Sequence, residues 1–79
     1  MKLSIIIPAY NEELTIKDII NKVKLNKIKK EIIVVDDCSE DSTSKILSKI
    51  KGIKLIKHSS NQGKGAAIKS GLKEATGDI

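Results

Sequence analysis

The 79-residue chain has no arginine, tryptophan or phenylalanine, and only one each of cysteine, histidine, proline and tyrosine. A single thiol, Cys38, excludes an internal disulfide, and no His/Cys cluster offers a closed metal site. With Tyr10 as the sole aromatic residue, the core has to be aliphatic. Fifteen lysines against ten acidic residues give a formal net charge of +5. Nucleic-acid readers use arginine forks or aromatic stacking platforms, and this chain has neither, so no nucleic-acid partner is expected. The lysines are scattered and read as solvated faces. No apolar run is long enough to cross a bilayer. Met1-Lys2 leads straight into a strand-like segment, so no signal peptide is expected. A free thiol without a leader predicts a reduced, cytoplasmic setting.

What is present is an aliphatic, periodic sequence. Hydrophobic residues make up 39% and charged residues 32%, a globular balance. Leu3 to Ile7 is β-branched and apolar, and predicts a first strand that Pro8 stops. Asn11 can cap a helix, with Glu12 and Glu13 in its first turn, where carboxylates suit the helix dipole. Ile16, Ile19, Ile20 and Val23 follow at helical spacing. Glu31 to Val35 predicts a second strand. The polar loop Asp36 to Thr43 feeds a second helix with Thr43, Ile46, Leu47 and Ile50 on one face, ended by Gly52. Ile53 to Lys57 alternates apolar and charged, as a strand near a sheet edge does. A third helix follows, with Ile68, Leu72 and Ala75 inward and Gly77 as its stop. Asp78-Ile79 reads as the start of a fourth strand. The alternation βαβαβα predicts an α/β fold, a three-layer, Rossmann-like parallel sheet.

In an open parallel sheet, ligands bind at the carboxyl ends of the strands. Three polar segments fall there. In Pro8–Glu12, Tyr10 is the one aromatic face available to stack on a base, and Glu12 can accept from a ribose or base. The same Asn11 and Glu12 serve equally well as helix-capping residues. In Asp36–Asp41, two adjacent acids repel unless they meet a donor or cation. Asp37 is the better ligand contact if Asp36 is still half in the strand, while Asp41 or Ser39 caps the next helix. Cys38 fills loop space. Asn61–Gly65 is a glycine-rich turn into a helix, able to hold an anion weakly or simply to turn the backbone. It is not a Walker loop, because His58 and Gly65 stand where that motif needs Gly and Ser or Thr. No G-x-G-x-x-G follows the first strand, which argues against a nicotinamide-binding domain. The acidic pair follows the second strand, not the first as in a phosphoacceptor receiver. His58 reads as a surface residue.

The three blocks Ser4–Glu12, Ile33–Thr43 and Asn61–Ala67, together with Gly71 and Ala75–Ile79, resemble the N-terminal part of a family 2 glycosyltransferase. The likeness is to the dolichol-phosphate mannosyltransferase-like and polyprenyl-phosphate sugar transferase branch. It covers residues 1–79 as one partial domain. It implies a GT-A fold that transfers sugar from a UDP- or GDP-sugar to an acceptor such as polyprenyl phosphate, with Mg²⁺ or Mn²⁺. By matching position, Pro8, Tyr10 and Glu12 would line the nucleoside pocket. Val35 and Asp37 would contact base and ribose, and Lys64 would lie near the donor phosphates. The family's Asp-x-Asp motif follows the point where the chain ends. No catalytic or metal-binding residue is therefore assigned, tight metal binding is not expected, and the chain is expected to be inactive alone. The resemblance also implies that Leu3–Ile7 would lack a strand partner, and so self-associate. A cytoplasmic location, at the membrane face in the full-length enzyme, follows from the branch. Two other readings stand beside it: a stand-alone nucleotide-binding or regulatory module, and a ligand-free structural piece that assembles with another chain.

Overall fold

The computed structural model describes residues 2–77. Its elements run β1 (Leu3–Ala9), α1 (Ile16–Leu25), β2 (Lys30–Asp36), α2 (Thr43–Ser48), β3 (Lys54–Lys57) and α3 (Lys64–Glu74). The strands form one parallel sheet in the order β1-β2-β3. Two aliphatic clusters sandwich it. On one face Ala9, Ile32 and Val34 meet Ile16 and Ile20 of α1 and Leu47 of α2. On the other, Ile33 and Val35 meet Ala67 of α3. The fold is α/β with three layers, as the alternation predicts. β2 is covered on both faces, which explains its unbroken apolar run. β3 lies at one edge, flanked by the exposed Lys54 and Lys57, and edge lysines discourage pairing with another chain.

Several details differ from the sequence reading. β1 does not stop at Pro8; it continues to Ala9, with Pro8 opposite Val35. The Leu3 N–H donates to Lys29 and the Ala9 carbonyl accepts from the Asp37 N–H, so odd residues of β1 address β2. Even residues then face the open edge, and proline's missing N–H costs the ladder nothing there. Asn11 does not cap α1. It takes a positive φ of 51°, and its side-chain oxygen accepts from the Glu40 N–H at 2.8 Å. The Glu12 carbonyl accepts the N–H of Ile16 at 2.8 Å. The freed amides of that turn are capped from across the chain. Glu12 N–H donates to Thr43 Oγ1 (2.8 Å) and Glu13 N–H to Asp41 Oδ2 (3.3 Å). Glu13 Oε2 accepts the Ser42 N–H in return, at 3.1 Å. The turns that lead into α1 and α2 are thus bonded to each other.

α2 ends at Ser48, with Lys49 as its cap, so Ile50 and Gly52 lie beyond the helix. The inward face of α3 is Ala67 and Gly71, while Ile68 and Leu72 are 37% and 43% exposed. A β-carbon on Gly71 would lie 2.5 Å from Ile6 Cγ2, so only glycine lets the helix approach β1 this closely. Ile68 and Leu72 are displaced by that approach to the flank of the helix. The fourth strand expected at residues 78–79 lies outside the described residues.

A clasp joins β1, β2 and the segment after α3. The Glu31 carboxylate accepts from Ser4 Oγ (2.9 Å) and from the Thr76 N–H (2.7 Å) and hydroxyl. Lys2 Nζ lies 3.2 Å from it. Gly77 N–H donates to Ser4 Oγ at 2.8 Å. The Thr76 hydroxyl, and then its N–H, hold the Glu31 carboxyl down to about 2.

Candidate functional site

A cleft of about 500 Å³ opens at the carboxyl ends of β1 and β2, beside the start of α3. That is within the size range of small-molecule sites, and the position is where parallel sheets bind ligands. Pro8, Ala9, Tyr10 and Glu12 come to it from β1 and the turn beyond, Asp37 from just past β2, and Asn61, Gly63, Lys64 and Ala67 from the α3 side. Five of the six residues singled out by sequence converge there. The sixth, Val35, does not line the cleft. It is fully buried against Ile33 and Ala67, because its place in β2 points it under α3.

Each wall has a local cause. Tyr10, 41% exposed, follows the last residue of β1, leaving its ring free of the core. Glu12 is held by its neighbour Thr15, whose hydroxyl donates to Oε2 at 3.0 Å. Asp36 ends β2 and is buried, its carboxylate accepting the Ser39 N–H at 3.1 Å. Asp37 lies one residue beyond the strand. Its carboxylate accepts the N–H groups of Gln62 (Oδ1) and Gly63 (Oδ2), both at 2.8 Å. The His58 ring supplies a third contact, with Nδ1 2.8 Å from Oδ1. The Gln62 N–H foremost, then His58, hold the Asp37 carboxyl below the usual carboxylate range. Asp37 is therefore the anchor of the Asn61–Gly63 turn as well as a wall of the cleft. Sequence reasoning missed this double role, and it placed His58 at the surface. The partners of Asp37 lie 21 to 26 residues away, and no local pattern announces them.

Gly63 precedes α3 with φ 93° and ψ 163°, a conformation essentially reserved for glycine. It lets the turn meet Asp37 and start the helix in one step. The first-turn amides of Lys64, Gly65 and Ala66 have no carbonyl four residues back within the helix. Gly63 and Lys64, at this end of the helix, line the cleft, and a helix N-terminus carries partial positive charge. Nothing lies within 4 Å of where a Gly65 β-carbon would stand. Among the described residues, no three His, Cys, Asp or Glu side chains come together to hold a metal ion. Asp37 is already engaged by N–H donors. The residues described do not fit a divalent cation.

The cleft brings together an aromatic face, two carboxylates and the start of a helix. The sequence profile of Glycosyl transferase family 2 matches residues 4–79. The dolichol-phosphate mannosyltransferase of Pyrococcus furiosus is 37% identical over 84 residues, covering 100% of this chain and 24% of that protein. The crystal structure of Staphylococcus aureus TarS residues 1–349 with UDP superposes with a TM-score of 0.88 at 34% identity, over 98% of this chain and 25% of that one. A mannosyltransferase from Pyrobaculum calidifontis, in complex with GDP-Man and Mn²⁺, superposes at 0.87 with 25% identity, over 94% and 24% of the two chains. The chain thus spans about a quarter of the length of these relatives. Its layers and topology are those of the opening part of a GT-A fold, and the chain belongs to glycosyl transferase family 2.

Proposed function

We propose that this chain is the donor-nucleotide-binding part of a family 2 glycosyltransferase that transfers a sugar from a UDP- or GDP-sugar. The observation that carries the proposal is the convergence of Tyr10, Glu12, Asp37 and the start of α3 on one cleft. In this reading the Tyr10 ring packs against the base, with Pro8 stiffening the backbone beside it. Asp37 and Glu12 accept from the N–H and O–H groups of base and ribose. The diphosphate lies against the first-turn amides of α3 and Lys64. Val35 supports the floor from beneath and makes no ligand contact. The similarity to a dolichol-phosphate mannosyltransferase favours a polyprenyl phosphate acceptor and work at the cytoplasmic membrane face. No helix among the described residues is long and apolar enough to cross a membrane.

The assignment is donor binding, not transfer. Mg²⁺ or Mn²⁺ belongs to the proposal for the complete enzyme. Isothermal titration of the chain with UDP and GDP tests the reading. Saturable binding of one of them, lost in Tyr10→Ala, supports it. Heat-silent titrations with both would leave the ligand-free structural role standing.

A second proposal concerns partners. Among the described residues no strand pairs with the far side of the uncharged β1, and Ile68 and Leu72 of α3 are exposed. Such an edge pairs with another copy. Sedimentation velocity over a wide concentration range is expected to show a growing dimer, and a monomer throughout would refute it.

A further inference from the structure

His58 is the chain's one histidine, and it is not a surface residue. It directly follows β3, and its backbone N–H donates to the Asp36 carbonyl at 2.9 Å. Its side chain is 7% exposed, and both ring nitrogens are engaged. Nδ1 faces Asp37 Oδ1 at 2.8 Å, and Nε2 faces Ser70 Oγ on α3 at 2.8 Å. An ionised carboxylate only accepts, so Nδ1 must carry the hydrogen. Ser70 can donate to Nε2 of the neutral ring or accept from it in the imidazolium. The ring therefore stays in place in either state.

We propose that His58 is a positioning residue for the cleft. Clamped by Ser70, it fixes the Asp37 carboxylate on the Asn61–Gly63 turn and limits what that carboxylate can offer a ligand. A carboxylate has about four acceptor sites. His58 and Gln62 take two on Oδ1, and Gly63 takes one on Oδ2. One site remains, on Oδ2. A ligand then meets Asp37 through a single N–H or O–H, not through a fork of two donors. The sequence Asp-His-Ser is also that of a nucleophilic relay, but Ser70 lies within α3 and does not line the cleft. It anchors the ring and attacks nothing.

The ligand part of this inference rests on the nucleotide-binding reading, and the anchoring part does not. The test therefore has two arms. In the first, amide hydrogen exchange is followed by NMR without ligand in His58→Gln, His58→Asn and Ser70→Ala. Asparagine keeps a donor near the Nδ1 position, whereas glutamine reaches toward Ser70 instead. Exchange at Gln62 and Gly63 is expected to rise about tenfold in His58→Gln, the scale of one charge-assisted hydrogen bond. It should stay near wild type in His58→Asn, with the β2 amides protected in both. A slowly exchanging imidazole N–H resonance should be present in the wild type and broadened in Ser70→Ala. In the second arm, the UDP and GDP dissociation constants should rise about tenfold in His58→Gln and recover in His58→Asn. Unchanged exchange at Gln62 and Gly63 in a folded His58→Gln would overturn the proposal. A wild type that binds neither nucleotide would overturn the nucleotide reading, while the exchange arm still decides the role of His58.

Discussion

Glu31 sits where three segments of the chain meet, and its ionised form is what holds them. Its carboxyl is lowered from an ordinary value of 4.5 to about 2 in the folded chain, chiefly by the Thr76 hydroxyl. A depressed folded value means the stabilisation is complete above about pH 4.5 and is lost as the pH falls toward 2. Glu31→Gln should lower stability at neutral pH and flatten the acid limb of the unfolding curve. Urea midpoints measured from pH 7 down to pH 2 check this, and an acid limb unchanged from wild type would contradict it. Asp37 shifts in the same direction through the Gln62 N–H and His58. Asp37→Asn should therefore weaken nucleotide binding and loosen the Asn61–Gly63 turn together, which calorimetry and amide exchange would show. Residue order singled out Asp37, the second of two adjacent acids just past an apolar strand, whereas nothing marked Glu31 beyond its place in the second strand. Their partners were not legible, because Thr76 lies 45 residues from Glu31 and His58 lies 21 from Asp37.

At the scale of elements, the apolar runs and turns placed every strand and helix, and they failed where packing across the chain overrides local pattern. Helical spacing nominated Ile68 and Leu72 as the inward face of α3. The close approach at Gly71 instead turns Ala67 and Gly71 inward. Gly71→Val should cost about 1–3 kcal/mol by overpacking against Ile6, measured as a lower chemical midpoint. A variant as stable as wild type would show that the helix can shift without loss. Asn11 looked like a cap because its residue type favours one, yet the amides of the turn before α1 are met by Thr43 and Asp41 at the start of α2. Thr43 is fully buried, and its hydroxyl also donates to Asp41 Oδ1. Thr43→Val strands the Glu12 N–H and should cost about 1–3 kcal/mol. Because Glu12 lines the cleft, the same change should weaken nucleotide binding.

At the scale of the whole molecule, a chain of 79 residues with an aliphatic core has little stability to spare. Its two apolar clusters cover both faces of β2, and among the described residues no strand pairs with the far side of β1. The cleft lies at the carboxyl ends of β1 and β2. The alternation of elements and the three polar blocks made both the architecture and the place of the cleft readable in advance. The exclusion of Val35 and the inclusion of Ala67 were not, because both follow from how α3 lies over β2.

The most direct test of the account is an amide NMR titration of the chain with UDP and with GDP, each with and without Mn²⁺. The account predicts saturable shifts at Tyr10, Glu12, Asp37, Gly63 and Lys64 with one of the two nucleotides, metal present or not. A dispersed, folded spectrum that neither nucleotide perturbs, or shifts confined to the far side of the sheet between α1 and α2, would contradict it.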